Sequence, residues 1–453
     1  MTKDLLLILP QIVVLLTAIG SLVAEMMGNP RGSLWSLIVG MATATAVAIS
    51  KLGTETTAFS NTFRVDYLSL WAVIILGVSI ILIGILARSE LKNTYREGTV
   101  YSLLVFSVLG ALIMAGAGDI MFVVLGILIG TLAGTALIAY TKTDPATEGA
   151  FKYYIYGSVT GAVMLFGLTF WVGITGSTYL SALNDPSLSS LAVIFGFGSL
   201  LIGIGYTGSL VPFHFWTPDV FEASPISIAA YLSVVPKIGA IFALAQVACE
   251  LPVDVLNWPL LLGVVAVLSM TFGNVVALWQ DNVVRLLAYS TIAQAGYFLL
   301  GVVAIQQGAL AVNSLIIFGI AYAVMNIGAF AIVQSCGTQL KDFNGWAKQK
   351  PWQAVGMTIF LLSLVGVPPL AGFAGKFLLF GAAMGSGYTW LAVAAIINSV
   401  ISLAVYMRII MPMFFQEPEG ERPGLAQLEI TFVWISTFIL TIGVGLGVQW
   451  FLV

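Results

Sequence analysis

The chain has 453 residues, 59% of them hydrophobic and only 8% charged, with a formal net charge of −3. A soluble domain carries charge on about a quarter of its residues, so this chain has too little to cover a water-facing surface and reads as an integral, all-α membrane protein. The slight acidity argues against nucleic acid as a partner. Two distant cysteines, Cys249 and Cys336, and a single histidine, His214, argue against a disulfide framework, a CxxC metal site and a bis-histidine haem.

A helix crossing the roughly 30 Å hydrocarbon core needs about 20 apolar residues, and such runs occur fourteen times. The first, near 5–27, is long enough to span and is closed by no small-residue cleavage pattern, so it reads as a helix and not a signal peptide. Glu25, near its end, is expected to reach the interface. Runs near 33–50, 67–87, 100–117 and 119–140 follow. The sixth, near 151–174, is preceded by Glu148 and opens on Lys152, a four-residue spacing that places them on one helix face.

The seventh, near 189–211, ends at Pro212 and runs into FHFWTPDVFEASP, a second apolar stretch interrupted by prolines. His214 lies in this break, where an imidazole suits proton relay or simply bonds a freed carbonyl. Asp219 and Glu222 come next as candidates for proton uptake from the cytoplasmic side, although most loop carboxylates are merely solvated. The eighth span, near 225–249, carries Lys237 directly after Pro236. The ninth lies near 258–279. Before the tenth, near 283–304, Asp281 and Arg285 repeat the four-residue spacing and are expected to pair. After a span near 309–335 comes an overlong run near 353–385 containing Pro368, Pro369, Gly372, Gly375 and Lys376. It reads as a helix broken in mid-membrane. Spans near 390–414 and 430–452 complete the set.

Loop lysines and arginines set the orientation. Arg31, Arg88, Lys92, Arg96, Lys142, Lys152, Arg285, Lys341, Lys348, Lys350, Arg408 and Arg422 fall on one side of a fourteen-span chain, and only Lys3, Lys51 and Arg64 on the other. This split makes the basic side cytoplasmic and puts both termini on the outer face of a membrane, expected to be a prokaryotic plasma membrane. The interrupted seventh and twelfth spans are five helices apart, the spacing of paired inverted five-helix repeats, and broken helices at matching positions point to an ion site. One membrane domain is expected. It comprises three N-terminal helices within 1–99, a first repeat over 100–249, a second over 258–414 and a C-terminal helix over 430–452.

Only Lys237 and Lys376 sit deep inside spans. An ammonium near the bilayer centre costs about 2.5–3.5 kcal/mol on insertion scales. A chain that bears this twice, each time beside proline, points to proton or cation movement. Pro236 cannot donate its backbone hydrogen bond, which leaves a carbonyl for an ammonium or a water. The structural alternative for Lys237 is snorkelling to an interface; for Lys376 it is capping of carbonyls freed at the break. Gly372 and Gly375 allow close backbone approach there.

Taken together, PFHFWTPDVFEASP, Lys237, RLLAYSTIAQAGY and GVPPLAGFAGKF resemble the antiporter-like membrane subunits of respiratory complex I, whose relatives include the Mrp antiporters and membrane-bound hydrogenases. TPDV after FHFW, a lysine at position 376, and a chain ending at Val453 with no room for a long lateral helix are most similar to the NuoN type. The resemblance implies a proton-translocating subunit in the membrane arm of an NADH-quinone oxidoreductase-like complex. It also implies other membrane-arm subunits as partners, with flavin, iron–sulfur clusters and quinone in partner subunits and none bound here.

In that family a glutamate in the fifth helix, lysines in the seventh and eighth, and a charged residue in the twelfth form a central line. Lys237 and Lys376 match the last two. Leu128 stands at the glutamate position, Thr207 at the seventh-helix lysine, Gln294 at a usual tenth-helix histidine and Gln11 at a first-helix glutamate. Leucine cannot ionise and threonine can only hydrogen-bond. Asp119 lies nine residues from Leu128, roughly 13.5 Å along a helix, too far to substitute. Three readings stay open: conduction through Lys237 and Lys376, a pump-deficient spacer, and a stand-alone cation/proton antiporter. The lack of intramembrane carboxylates weighs against the last.

Overall fold

The computed structural model describes residues 2–184, 190–418 and 428–448; Arg422, counted above on the basic side, lies outside the described residues. Helices α1 (Thr2–Leu7) and α2 (Leu9–Met26) make the first span, followed by α3 (Pro30–Ser50), α4 (Tyr67–Leu91), α5 (Glu97–Ala115), α6 (Ile120–Ile138) and α7 (Asp144–Thr175). The seventh span is divided into α8 (Ser190–Gly208) and α9 (Thr217–Ala223). Next come α10 (Ile226–Glu250), α11 (Trp258–Ala277), α12 (Val283–Val303) and α13 (Ala309–Cys336). A short α14 (Trp346–Gln349) precedes the divided twelfth span, α15 (Pro351–Val365) and α16 (Ala371–Gly385), and α17 (Thr389–Phe415) and α18 (Leu428–Gly447) close the described chain. Thirteen helices among the described residues are long and apolar enough to span, and α15 with α16 supplies the fourteenth crossing. Both breaks fall where the prolines place them.

A short hairpin interrupts the helices. Between α3 and α4, strands β1 (Thr56–Ala58) and β2 (Phe63–Val65) pair antiparallel, with Ala58 opposite Phe63. The turn between them holds Phe59, Ser60 and Asn61 at positive φ.

Six spans begin where a polar side chain satisfies free N–H groups of the first turn. Asn29, Asp66, Asp119, Thr143, Asn257 and Asn282 all act as such caps, each worth typically about 1 kcal/mol. Asp119 accepts from the Met121 amide at 2.8 Å and from Thr178 Oγ1 at 2.5 Å, so its carboxylate belongs to the start of α6. Glu25, at the end of the first span, accepts from the Gly98 amide at 3.0 Å and so caps the start of α5. The packing of α2 on α5 brings it to a helix start, where negative charge is favoured.

At the centre stands α10, buried from Ser227 to Ala248 and packed against α4, α5, α8, α12 and α13. Its first turn is held by Glu90 of α4, whose carboxylate accepts from the amides of Ile226 (2.8 Å) and Ser227 (2.9 Å) and from Ser227 Oγ (2.7 Å). Replacing Glu90 with alanine removes all three acceptor contacts from a pillar helix. We expect a loss of about 2 kcal/mol or more, with a smaller loss for Glu90→Gln. Thermal unfolding of the two purified variants measures the difference.

Candidate functional site

Each broken helix exposes carbonyls that have no partner in their own ladder, and each break has recruited a lysine. At the end of α8, Thr207 Oγ1 donates back to the Gly203 carbonyl at 3.2 Å, and Trp216 Nε1 donates to the Tyr206 carbonyl at 2.9 Å. The next carbonyl, that of Thr207, accepts from Lys237 Nζ at 3.3 Å. The same ammonium donates to Ser209 Oγ at 2.5 Å and lies 4.3 Å from the Trp216 ring centroid. Ser209 Oγ is itself 2.6 Å from Thr217 Oγ1 at the start of α9. Lys237 is 1% exposed, so snorkelling is excluded.

The end of α15 repeats this arrangement. Gly366, at φ +99°, turns the chain while its amide bonds the Leu362 and Ser363 carbonyls. Gln294 Nε2 donates to the Leu364 carbonyl at 3.2 Å, and Lys376 Nζ donates to the Val365 carbonyl at 3.1 Å. Lys376 Nζ also reaches Ser399 Oγ at 3.3 Å and sits 3.7 Å from the Tyr297 ring centroid. The helix restarts as α16 with the Gly372 amide donating to Ser363 Oγ at 3.0 Å. A Cβ at Gly372 would run into the Ser363 carbonyl, so only glycine fits there. At both sites the amine faces the carbonyl end of a half-helix dipole, a hydroxyl and an aromatic face. No carboxylate pairs with either lysine among the described residues.

Polar side chains occupy the interior between the two lysines. Tyr322 of α13 donates to the Ser233 carbonyl, one turn before Lys237, at 2.8 Å. Tyr406 of α17 bonds Ser290 Oγ at 2.6 Å and lies 3.4 Å from Gln294 Nε2. Ser399 Oγ donates to Tyr297 Oη at 3.1 Å. Two buried acceptors in this layer, Gln294 Oε1 and Asn326 Oδ1, have no protein partner, which is the condition under which buried polar atoms hold water. Beside Lys376 is a cavity of 240 Å³ lined by Val365, Phe373, Phe380, Ser399 and Leu403. Phe377 and Val400, also on its wall, are 61% and 67% exposed, so the cavity opens on the lateral surface between α16 and α17.

The other sequence-derived residues fall into two groups. His214 is buried with its ring centroid 4.8 Å from Phe215 and 4.6 Å from Phe272 of α11, and its Nδ1 has no partner. Its ring contacts lie towards α11. Glu148, Lys152, Asp219, Glu222 and Arg285 instead form one charge cluster. Lys152 Nζ bonds Glu148 at 2.8 Å, as the spacing predicts, and Asp219 at 2.9 Å; Arg285 bonds Asp219 at 2.8 Å and Glu222 at 2.9 Å. The cluster frames a cavity of 460 Å³ where α7, α9 and α12 meet.

The expected Asp281–Arg285 pair does not form. Asn282 is the cap of α12, so Asp281 precedes the helix and pairs with Arg408 of α17 at 2.9 Å. Pro236 lies inside α10, and Pro368 and Pro369 lie in the turn before α16. Leu128 is half exposed on α6, whereas Thr207 is buried and lines a small hydroxyl-rich void with Ser107, Thr131 and Tyr153. Sequence reasoning left Ser209, Trp216, Tyr297 and Ser399 unassigned. A hydroxyl or aromatic residue near a broken span was the available signal for the first two, but Ser399 and Tyr297 meet Lys376 only through long-range packing.

Partial burial pushes the Asp219 carboxyl up, but Lys152 and Arg285 outweigh this and hold it below the ordinary 3.8. A carboxyl lowered in the folded state stabilises above its ordinary value, and that stabilisation is lost as pH falls through the lowered one. Between pH 5 and 3 the wild-type thermal midpoint is therefore expected to fall further than that of Asp219→Asn, read by scanning fluorimetry at each pH.

Residues 117–402 match the model of the NADH:quinone oxidoreductase/Mrp antiporter transmembrane family. NADH-quinone oxidoreductase subunit N of Mycobacterium sp. (strain JLS) is 36% identical over 81% of this chain and 79% of its own length. A chain of respiratory complex I from Thermus thermophilus is 27% identical, with a TM-score of 0.85 over 97% of both chains. A chain of the Mrp complex from Dietzia sp., 18% identical, shares the fold with a TM-score of 0.86, over 100% of this chain and 96% of its own. With its fourteen crossings, two broken helices and buried lysines, the chain belongs to the NADH:quinone oxidoreductase/Mrp antiporter membrane-subunit family and is of the subunit N type.

Proposed function

We propose that this subunit moves protons within the membrane arm of a complex I-like quinone oxidoreductase, using Lys237 and Lys376 as the proton-carrying groups. The observation that carries this reading is the repeated lysine site, an amine bound to neutral acceptors alone at the end of a half-helix. Such an amine takes up and releases a proton without breaking an ion pair. In the proposed path, protons are taken up on the basic, cytoplasmic side near Asp219 and Glu222, with His214 as a candidate relay. They reach Lys237, cross the layer of Tyr322, Asn326 and Gln294 through water, and arrive at Lys376 before leaving outward. Electron donor, flavin, iron–sulfur clusters and quinone are assigned to partner subunits of the complex, and both termini to the outer face of the membrane.

Lys376→Met is expected to abolish this subunit's share of proton pumping while the complex still assembles. Proton-to-electron stoichiometry in reconstituted vesicles measures it, and an unchanged ratio refutes the path.

A specific observation favours a second reading, a membrane spacer that no longer pumps. With Leu128 half exposed and Thr207 bonded to the Gly203 carbonyl, no carboxylate or second lysine faces Lys237 from the α6 side among the described residues. The two readings divide on Lys237→Met. Conduction predicts a clear loss of pumping, whereas a spacer predicts none, by the same stoichiometric measurement.

A further inference from the structure

Away from the lysine sites, α3 and α18 both pack on α4 and leave a groove of 840 Å³ between them. Its rim lies at the basic edge of the molecule, because α3 begins there, α4 ends there and α18 begins there. Arg31, on the first turn of α3, and Arg88, on the last turn of α4, flank this rim with Glu429 of α18. Arg88 Nε is 3.6 Å from Glu429, while Arg31 has no carboxylate partner among the described residues. The rim thus keeps one unneutralised positive charge. Below it, from Arg31 to Ile38, the wall of α3 descends about 10 Å, a third of the hydrocarbon core. That wall is apolar, and α18 faces it with Phe432 and Ile435 beside Thr431 and Ser436; Trp35 is 63% and Phe432 53% exposed. A cationic rim, an interfacial tryptophan and an apolar trough in one line match a single kind of molecule. In an anionic phospholipid the phosphate would meet the arginines and an acyl chain would run beneath.

We infer that this groove is a binding site for an anionic phospholipid. Arg31 and Arg88 hold the phosphate, Trp35 lies alongside the glycerol and upper chain, and Phe432 and Ile38 face the acyl tail. Glu429 opposes the headgroup and limits the affinity by holding Arg88. The site is separate from the lysine path, so its failure leaves the proposed function untouched.

The test uses the full chain within its purified complex, reconstituted in equal phosphatidylglycerol and phosphatidylcholine, extracted and weighed by native mass spectrometry. Phosphatidylglycerol is expected to be retained on this subunit in preference to phosphatidylcholine. Arg31→Gln lowers that preference about fivefold, the effect of one basic residue at a membrane surface. Glu429→Gln raises it by freeing Arg88, and supplies a second readout should the arginine variant fail to accumulate. Equal retention of the two lipids by the wild type overturns the assignment. So does a preference that neither substitution moves. So does photocrosslinking of a reactive residue at position 35 to a protein subunit instead of to lipid.

Discussion

Holding an amine in hydrocarbon, with no carboxylate against it, is the constraint on which this molecule is built. Charge at the bilayer centre is costly, and a continuous helix offers it nothing, since its mid-membrane carbonyls are all bonded within the ladder. Breaking a helix frees carbonyls at the depth where they are needed and turns the negative end of a half-helix towards the amine. The α8 and α15 ends do this for Lys237 and Lys376 in turn, and a serine hydroxyl and an aromatic face complete each site. The prolines and the glycine-lined turn, the cap on α10 and the burial of α10 on every side all serve to fix these two sites.

Neutral acceptors have a functional consequence that an ion pair lacks. A lysine paired with a carboxylate has to part from it before its proton can leave, whereas a carbonyl and a hydroxyl serve the ammonium and release the amine with little rearrangement. The polar layer between the sites contains more hydrogen-bonding capacity than the protein itself satisfies, because Gln294 and Asn326 each keep a buried acceptor free. On the α6 side of Lys237 the hydroxyls of Ser107, Thr131, Tyr153 and Thr207 line a small void. The two unmet acceptors lie instead towards Lys376, where Gln294 also bonds the Leu364 carbonyl.

Much of this was legible before any coordinates. The span count follows from hydropathy, because a bilayer imposes a fixed length. The two breaks follow from Pro212 and from Pro368–Pro369, because proline ends a hydrogen-bond ladder. The two lysines stand out because the membrane makes each of them expensive. What escaped depends on where helices start and how they meet. Asp281 and Arg285 have the spacing of a helical pair, yet the cap at Asn282 leaves Asp281 outside the helix. Glu25 found an amide of α5 through the packing of α2 on that helix. The β1–β2 hairpin has strands of three residues, too short for alternation to register. Tyr297 and Ser399 are 102 residues apart and meet only at Lys376.

Proton movement between the two lysines requires solvent inside the helix bundle. A high-resolution map of the assembled complex, read for ordered water between α10 and α16, is the decisive measurement. It should find density bound to Gln294 Oε1 and Asn326 Oδ1 and continuing to the surroundings of both amines. Dry side-chain packing across that interval, with neither acceptor hydrated, would contradict it.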